Sequence, residues 1–320
     1  MKTDPHLTEL SAAQLRQYID AEAVFSALEQ ASKDAAEVRG SMFWRQQGAQ
    51  TYLIRSSATG AQTSLGPHSE KNVAIHDRFV ERKKSAEQRV RNLKSSLLQQ
   101  QRLNRALRVG RTPPIVIETL NALAAAGLDA HFLVVGTHAL YAYEAAAGVM
   151  VESAATATQD VDLLFDTRKR LSFWSQLKRL DSSFLSVLRK ADRSFHVRPG
   201  QLYTVVNDAG FEVDVVRRVQ AESDPHPLRL SDDEDDLWPV QISTGQDLLN
   251  AERFSRMVVA TSGAMARMNT VDPRAFVRVK RWLAARKDRD PLKRRKDRLQ
   301  ADVVASLIED YLPQLGGVQV

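Results

Sequence analysis

With 320 residues, 43% hydrophobic and 26% charged, the chain has enough apolar content for one large core or two modest ones. Cysteine is absent, which excludes disulfides, thiolate metal sites and cysteine nucleophiles, and no apolar run is long enough for a membrane span. The net charge of +6 is unevenly placed: twelve Lys/Arg and three Asp fall between Arg274 and Arg298, which leaves the rest slightly acidic. A focused basic segment of this kind suits a polyanion such as a triphosphate or an RNA backbone, although a charge run alone more often marks a solvated helix face. The N-terminus leads into a polar helical pattern without the apolar stretch of a signal peptide, so a cytoplasmic protein is expected.

Residues 7–39 read as helix. Ser11 and Gln14 have capping-box spacing, Leu15, Ile19, Phe25 and Leu28 fall roughly on one face, and Gly40 closes it. Residues 41–66 change period and predict a small β-meander, ended by Pro67, with Trp44, Tyr52 and Arg55 either in its core or forming a nucleic-acid platform. A basic, Gln-rich helix follows from Glu70 to Leu107. Its apolar positions Phe79, Val90, Leu93, Leu97 and Leu103 are too sparse for a full globular face, so it needs a partner as a coiled-coil arm, a dimerisation helix or a brace.

From Pro113 the texture is α/β. A helix over 115–126 precedes an apolar strand over 131–135, a Gly136-Thr137 turn, and a helix from His138 to Ala146. A loop of small residues (148–158) leads to a strand over 160–165 and a helix over 168–180. Strand pieces follow at 195–197 and 202–206; then a turn at Asn207–Gly210, a strand over 211–216, an exposed acidic loop over 231–236, and a short strand over 239–242. The remainder reads as helical, with a hairpin over 257–271. The fold expected is α+β: an N-terminal extension over 1–110, a mixed-sheet core over 111–245, and a mainly helical segment over 246–320.

Three features converge on chemistry. The strand Asp160-Val161-Asp162-Leu163-Leu164 alternates carboxylate with apolar residue, so both Asp side chains share one face while Val161 and Leu163 point to a core. Two adjacent carboxylates repel, and oxygen-only ligands of this kind suit a pair of magnesium ions. The strand Phe211 to Val216 repeats the alternation and offers Asp214 as a third carboxylate. Val134-Val135-Gly136-Thr137 runs a strand into a helix N-terminus, where backbone amides and the helix dipole favour phosphate.

This order resembles the DNA polymerase β-like nucleotidyltransferase superfamily, whose pattern is a strand, Gly-Gly or Gly-Ser, a helix, Asp-x-Asp on a second strand and a lone Asp on a third. The matching residues here are Gly136, Thr137, Asp160, Asp162 and Asp214. Within that superfamily the chain is most similar to bacterial minimal nucleotidyltransferases that include AbiEii-type and MenT-type toxins. Their Lys on one helix matches Lys280, and their Lys/Arg-Asp pair on the next matches Lys296-Asp297. Thr137 stands where Ser is usual, and the 22 residues between Thr137 and Asp160 exceed the compact spacing, as an insertion near the substrate entrance would.

The resemblance implies a metal-dependent enzyme that moves NMP from an NTP to an acceptor hydroxyl. Asp160, Asp162 and Asp214 would hold two Mg2+ (or Mn2+), and Gly136, Thr137, Lys280 and Asp297 would bind nucleotide. Toxin relatives imply a tRNA end as acceptor and a cognate antitoxin as partner, and the long helix leaves room for a homodimer. A protein or small-molecule acceptor stays open, as does a non-catalytic nucleotide- or nucleic-acid-binding module. On residue chemistry alone, Lys280 reads equally as a surface lysine. Asp297 reads as a surface ion pair with Lys293 or Arg294, and His138 as a helix-packing residue.

Overall fold

The computed structural model describes residues 4–221 and 224–316. The chain divides into two compact units, residues 16–103 and residues 1–15 with 104–320.

The smaller unit is built on two long helices. Helix α1 (Ala12–Glu37) starts at the expected capping box: Gln14 N donates to Ser11 Oγ (3.3 Å) and Ser11 N to Gln14 Oε1 (2.9 Å). The meander is present as β2 (Ser41–Gln47), β3 (Gln50–Ser56) and β4 (Gln62–Pro67), all antiparallel. Helix α2 (Glu70–Leu107) spans the predicted residues. Its protected positions, among them Phe79, Lys83, Ala86, Val90, Leu93 and Leu97, recur in steps of three and four. The partner this seam requires is α1, which runs back along it. Gln17 Nε2 donates to Gln100 Oε1 (2.7 Å), and Asp34 and Glu37 face Arg89 and Arg82 (3.7 Å each). Ile19, expected on the apolar face of α1, is instead 65% exposed, because the packed stripe is Gln17, Ala21, Phe25 and Ala31. Arg55 is tied down as well: it donates to the carbonyls of Arg39, Ser41 and Ser56 and lies over the Phe79 ring.

The larger unit corrects the start of the first helix. Leu7–Glu9 form strand β1, antiparallel to β6 (Val149–Val151), so the segment read as a loop over 148–158 holds a strand and a short helix, α5 (Ser153–Thr156). The alternation Val149-x-Val151 buries both valines and explains the strand. Helix α3 (Pro114–Ala125) precedes β5 (Phe132–Val135). The Gly136–Ala139 turn is 3-10, and α4 (Leu140–Ala147) continues it.

Strand β7 (Asp160–Phe165) leads to α6 (Arg170–Leu180), and α7 (Phe184–Leu188), which the sequence did not reveal, comes next. Strands β8 (His196–Arg198), β9 (Gln201–Val206), β10 (Glu212–Arg218) and β11 (Val240–Ile242) follow, then α8 (Gly245–Asn250). A hairpin of β12 (Arg253–Val259) and β13 (Met265–Val271) precedes helices α9 (Pro273–Ala285) and α10 (Pro291–Tyr311). The acidic run 231–236 is not wholly exposed. Asp236 is buried and accepts from the amides of Phe184 and Leu185 (2.9 and 3.0 Å), closing the N-terminus of α7.

A mixed six-stranded sheet organises this unit in the order β5-β7-β10-β9-β8, with β11 also on β10. Strands β7, β10 and β11 are mutually parallel, while β5 and β9 run against them. One face, carrying Val161, Leu163 and Phe165, is covered by an aromatic cluster. Phe132, Phe173 and Phe184 lie with Phe165 at centroid distances of 4.9–6.0 Å. The opposite face carries Asp160, Asp162 and Asp214. The result is an α+β fold with a mixed sheet, as expected.

Candidate active site

Register brings the three carboxylates together. Strand β10 pairs with β7 in parallel, with Asp214 beside Asp162 and Glu212 beside Asp160, and β5 places Val135 beside Asp162 on its other edge. One carboxylate oxygen from each of Asp160, Asp162 and Asp214 lies within 4.8 Å of the other two. Glu212 shares their face but is neutralised by Arg198, whose Nη1 donates to Glu212 Oε2 at 3.1 Å. No Lys or Arg forms an ion pair with any of the three Asp residues among the described residues.

That leaves like charge concentrated in a partly buried place. Burial, followed by the neighbouring Asp160 and Asp214 carboxylates, pushes the Asp162 carboxyl up to about 7. Burial raises Asp214 as well, opposed by a hydrogen bond from Thr204 Oγ1 (2.6 Å) to Asp214 Oδ1. Thr158 Oγ1 donates to Asp160 Oδ1 in the same way. Each hydroxyl occupies one oxygen of its carboxylate and so fixes the direction of the other. A hard divalent cation is the natural counter-charge for an all-oxygen cluster of this kind, and the triad could hold one.

Gly136 ends β5 against this cluster with φ +69°. A Cβ there would lie closer than 3.0 Å to Asp162 Oδ2, so both the left-handed backbone and the space require glycine. Thr137 Oγ1 accepts from the buried Gln300 Nε2 (3.1 Å), which also donates to Ala155 O (2.7 Å) and ties the turn to α10 and α5. His138 is buried against Tyr141 and Phe211, and burial pushes its imidazole down to about 4, so it is a neutral packing group.

The basic segment departs from its surface reading. Lys280 on α9 is buried and donates to Asp297 Oδ1 (2.7 Å), and Arg289 Nε donates to Asp297 Oδ2 (2.9 Å). Asp297 therefore pairs with Lys280 and Arg289 and not with Lys293 or Arg294, because its place on the inner face of α10 turns it toward α9. Lys296 donates to Ala157 O (2.7 Å). Lys280 and Arg289 line a cleft of about 390 Å³ together with Gly136 and Asp162, which puts both cations, the Gly136 turn and one carboxylate of the triad on one cavity.

Sequence reasoning missed Thr158, Thr204, Gln300 and Arg289. Thr158 was within reach, since it lies two residues before Asp160 in the same alternation. The other three depend on strand pairing or helix packing that spacing does not encode.

No curated protein and no solved structure matches the chain. A family model described as a nucleotidyltransferase matches residues 115–316, which contain the sheet, the acidic triad, the Gly136 turn and the Lys280–Asp297–Arg289 cluster. The chain belongs to the nucleotidyltransferase family.

Proposed function

We propose that the protein is a magnesium-dependent nucleotidyltransferase of the DNA polymerase β-like superfamily that transfers NMP from an NTP to an RNA hydroxyl, with a tRNA end as the acceptor. The observation that carries the reading is the convergence of Asp160, Asp162 and Asp214 beside Gly136, with no basic residue paired to them among the described residues. Magnesium bound to these carboxylates would supply Lewis-acid stabilisation of charge on the transferring phosphoryl group.

The chain's own residues do the rest. Gly136 lets the Asp162 carboxylate close on the head of the turn, where a bound phosphate would meet both, and Thr137 is held there by Gln300. Lys280 and Arg289, fixed by Asp297, line the same cleft and neutralise the outer phosphates. Asp214 Oδ1 is occupied by Thr204, so Oδ2 takes the proton as the acceptor oxygen attacks the α-phosphorus. A new O–P bond forms, the bond between the α-phosphorus and its bridging oxygen breaks, and pyrophosphate leaves. The excess positive charge between Arg274 and Arg298 favours RNA over a small-molecule acceptor. In the cell this reading corresponds to a growth-arresting toxin held in check by a cognate antitoxin.

Incubation with each labelled NTP, magnesium and total RNA or total protein is the direct test. Label is expected in RNA, lost with EDTA and lost in Asp160→Asn, Asp162→Asn and Asp214→Asn. Label in protein alone would move the acceptor. Full transfer in EDTA or in any of the three variants would remove the triad from catalysis.

A further inference from the structure

The cleft beside Asp162 is chemically two-sided. Two of its three cations gather at one place, because Lys280 and Arg289 both bind the Asp297 carboxylate, while the third, Arg286, pairs with Asp288. Much of the rest of its wall is apolar: Val216 and Ile242 from adjoining strands, Leu248 from α8, and Phe276, Val279 and Leu283 from α9, with Gln241 beside them. Register puts Val216 two residues beyond Asp214 on the same sheet face, and Arg218, two further on, pairs with Ile242. The apolar wall thus continues directly from the carboxylates. Ser243 and Thr244 join the lining where β11 gives way to α8. Thr244 occupies the N-cap of α8 without using its side chain as a cap, and neither hydroxyl has a hydrogen-bond partner among the described residues.

We propose that this apolar half of the cleft is the nucleobase slot, with the hydroxyls of Ser243 and Thr244 reading the polar edge of the base. The inference rests on the triphosphate reading above and adds to it where the base goes and what selects it. A base has two apolar faces and a polar rim. An apolar slot with two unengaged hydroxyls matches both requirements, and it excludes the phosphates, which an apolar wall would leave unpaired. The cationic half then takes the phosphates, and the α-phosphorus falls between the halves, at Asp162. Selection among bases follows from pairing with the two hydroxyls, since a polar edge left unpaired in a closed slot is costly.

The test measures the affinities of the full-length protein for the four NTPs and for inorganic tripolyphosphate by calorimetry in magnesium. Val279→Trp fills the slot and is expected to weaken the preferred NTP about 10-fold or more while leaving tripolyphosphate unchanged. Thr244→Val keeps the side-chain volume and is expected to change the order of preference among the four NTPs, again without affecting tripolyphosphate. Trp282→Ala, on the outer side of α9, is expected to change neither. Val279→Trp with wild-type NTP affinity, or with equal losses for NTP and tripolyphosphate, would overturn the slot, as would an NTP loss confined to Trp282→Ala. Wild-type protein that binds neither NTP nor tripolyphosphate would instead overturn the triphosphate reading beneath it.

Discussion

Gly136 and Asp162 are locked together across two strands: β5 ends beside Asp162, and the Asp162 carboxylate occupies the space that any Cβ at position 136 would need. The Gly136 turn and the strand that carries Asp162 therefore cannot vary independently. Gly136→Ala meets two costs, the left-handed backbone and the collision with Asp162 Oδ2, and should destabilise the protein by about 1–3 kcal/mol. It should also displace the carboxylate, so magnesium-dependent NTP binding falls further than stability does. Thr137→Ser keeps the oxygen that accepts from Gln300 and should retain transfer. Calorimetric NTP titration beside a thermal melt separates the two effects, and wild-type NTP binding in Gly136→Ala would break the link.

The raised Asp162 carboxyl has a definite pH signature. Its folded value of about 7 lies above the ordinary 3.8, so the folded state holds the proton more tightly than the unfolded state does. Its contribution to the stability of the metal-free protein is then fully present below about pH 4 and is lost as pH rises through about 7. Asp162→Asn removes the group that becomes charged. It should stabilise the metal-free protein by about 1–3 kcal/mol above pH 7, and the gain should vanish near pH 4. Magnesium should raise the melting temperature of the wild type at pH 8 and not that of Asp162→Asn. A pH-independent difference between the two proteins would show that Asp162 is not the strained carboxyl.

Asp297 serves two cations at once, so removing it costs more than removing either one. Asp297→Ala strands the buried Lys280 ammonium and should destabilise by about 3–5 kcal/mol, whereas Lys280→Met with Asp297→Leu should recover much of that. Lys280→Ala leaves Asp297 paired with Arg289 and should fold well, with NTP binding weakened about 10–100-fold. Denaturant melts of the four proteins together with NTP titrations test both halves. Equal stability of Asp297→Ala and wild type would show the pair to be energetically idle.

The sheet and its acids were legible because their information is local. Period-two alternation fixes the face of Asp160, Asp162 and Asp214 whatever lies around them, and glycine between an apolar strand and a helix leaves few conformations. What escaped the sequence is whatever depends on a partner. Leu7–Glu9 became a strand because Val149–Val151 offered an edge, and nothing within residues 7–9 announces that pairing. Asp297 sits three and four residues from Arg294 and Lys293, the spacing of a helix-surface pair, yet packing of α10 on α9 turned it toward Lys280 instead. The sparse seam of α2 did announce a need for a partner. That the partner is α1 follows from an antiparallel register visible only once Gln17 meets Gln100 and Asp34 meets Arg89.

That hairpin motivates the last prediction. Residues 16–103 form a compact unit that contains none of the triad, the turn or the basic cluster, and we propose that it recognises the acceptor. Its long helix keeps Arg78 and Lys84 exposed, whereas Arg55 and Lys83 are engaged with backbone carbonyls, so Arg78 and Lys84 are among its cations available to an RNA backbone. In the larger unit, Gln14 Nε2 donates to the carbonyls of Leu107 and Arg108 (3.2 and 3.0 Å), which shows that the chain leaves and re-enters that unit at neighbouring points. Replacing residues 16–103 by a flexible Gly/Ser linker of about eight residues should therefore close without strain. The shortened protein should melt cooperatively and keep magnesium-dependent NTP affinity, and it should transfer to RNA at least about 10-fold more slowly, the scale of losing several phosphate contacts. Arg78→Glu with Lys84→Glu in the full chain should slow RNA transfer in the same direction and leave NTP affinity unchanged. Calorimetry, a thermal melt and labelled transfer measure each part. Full-rate modification of the same RNA by the shortened protein would remove acceptor recognition from this unit, and loss of folding would make α1 and α2 a structural brace of the catalytic core.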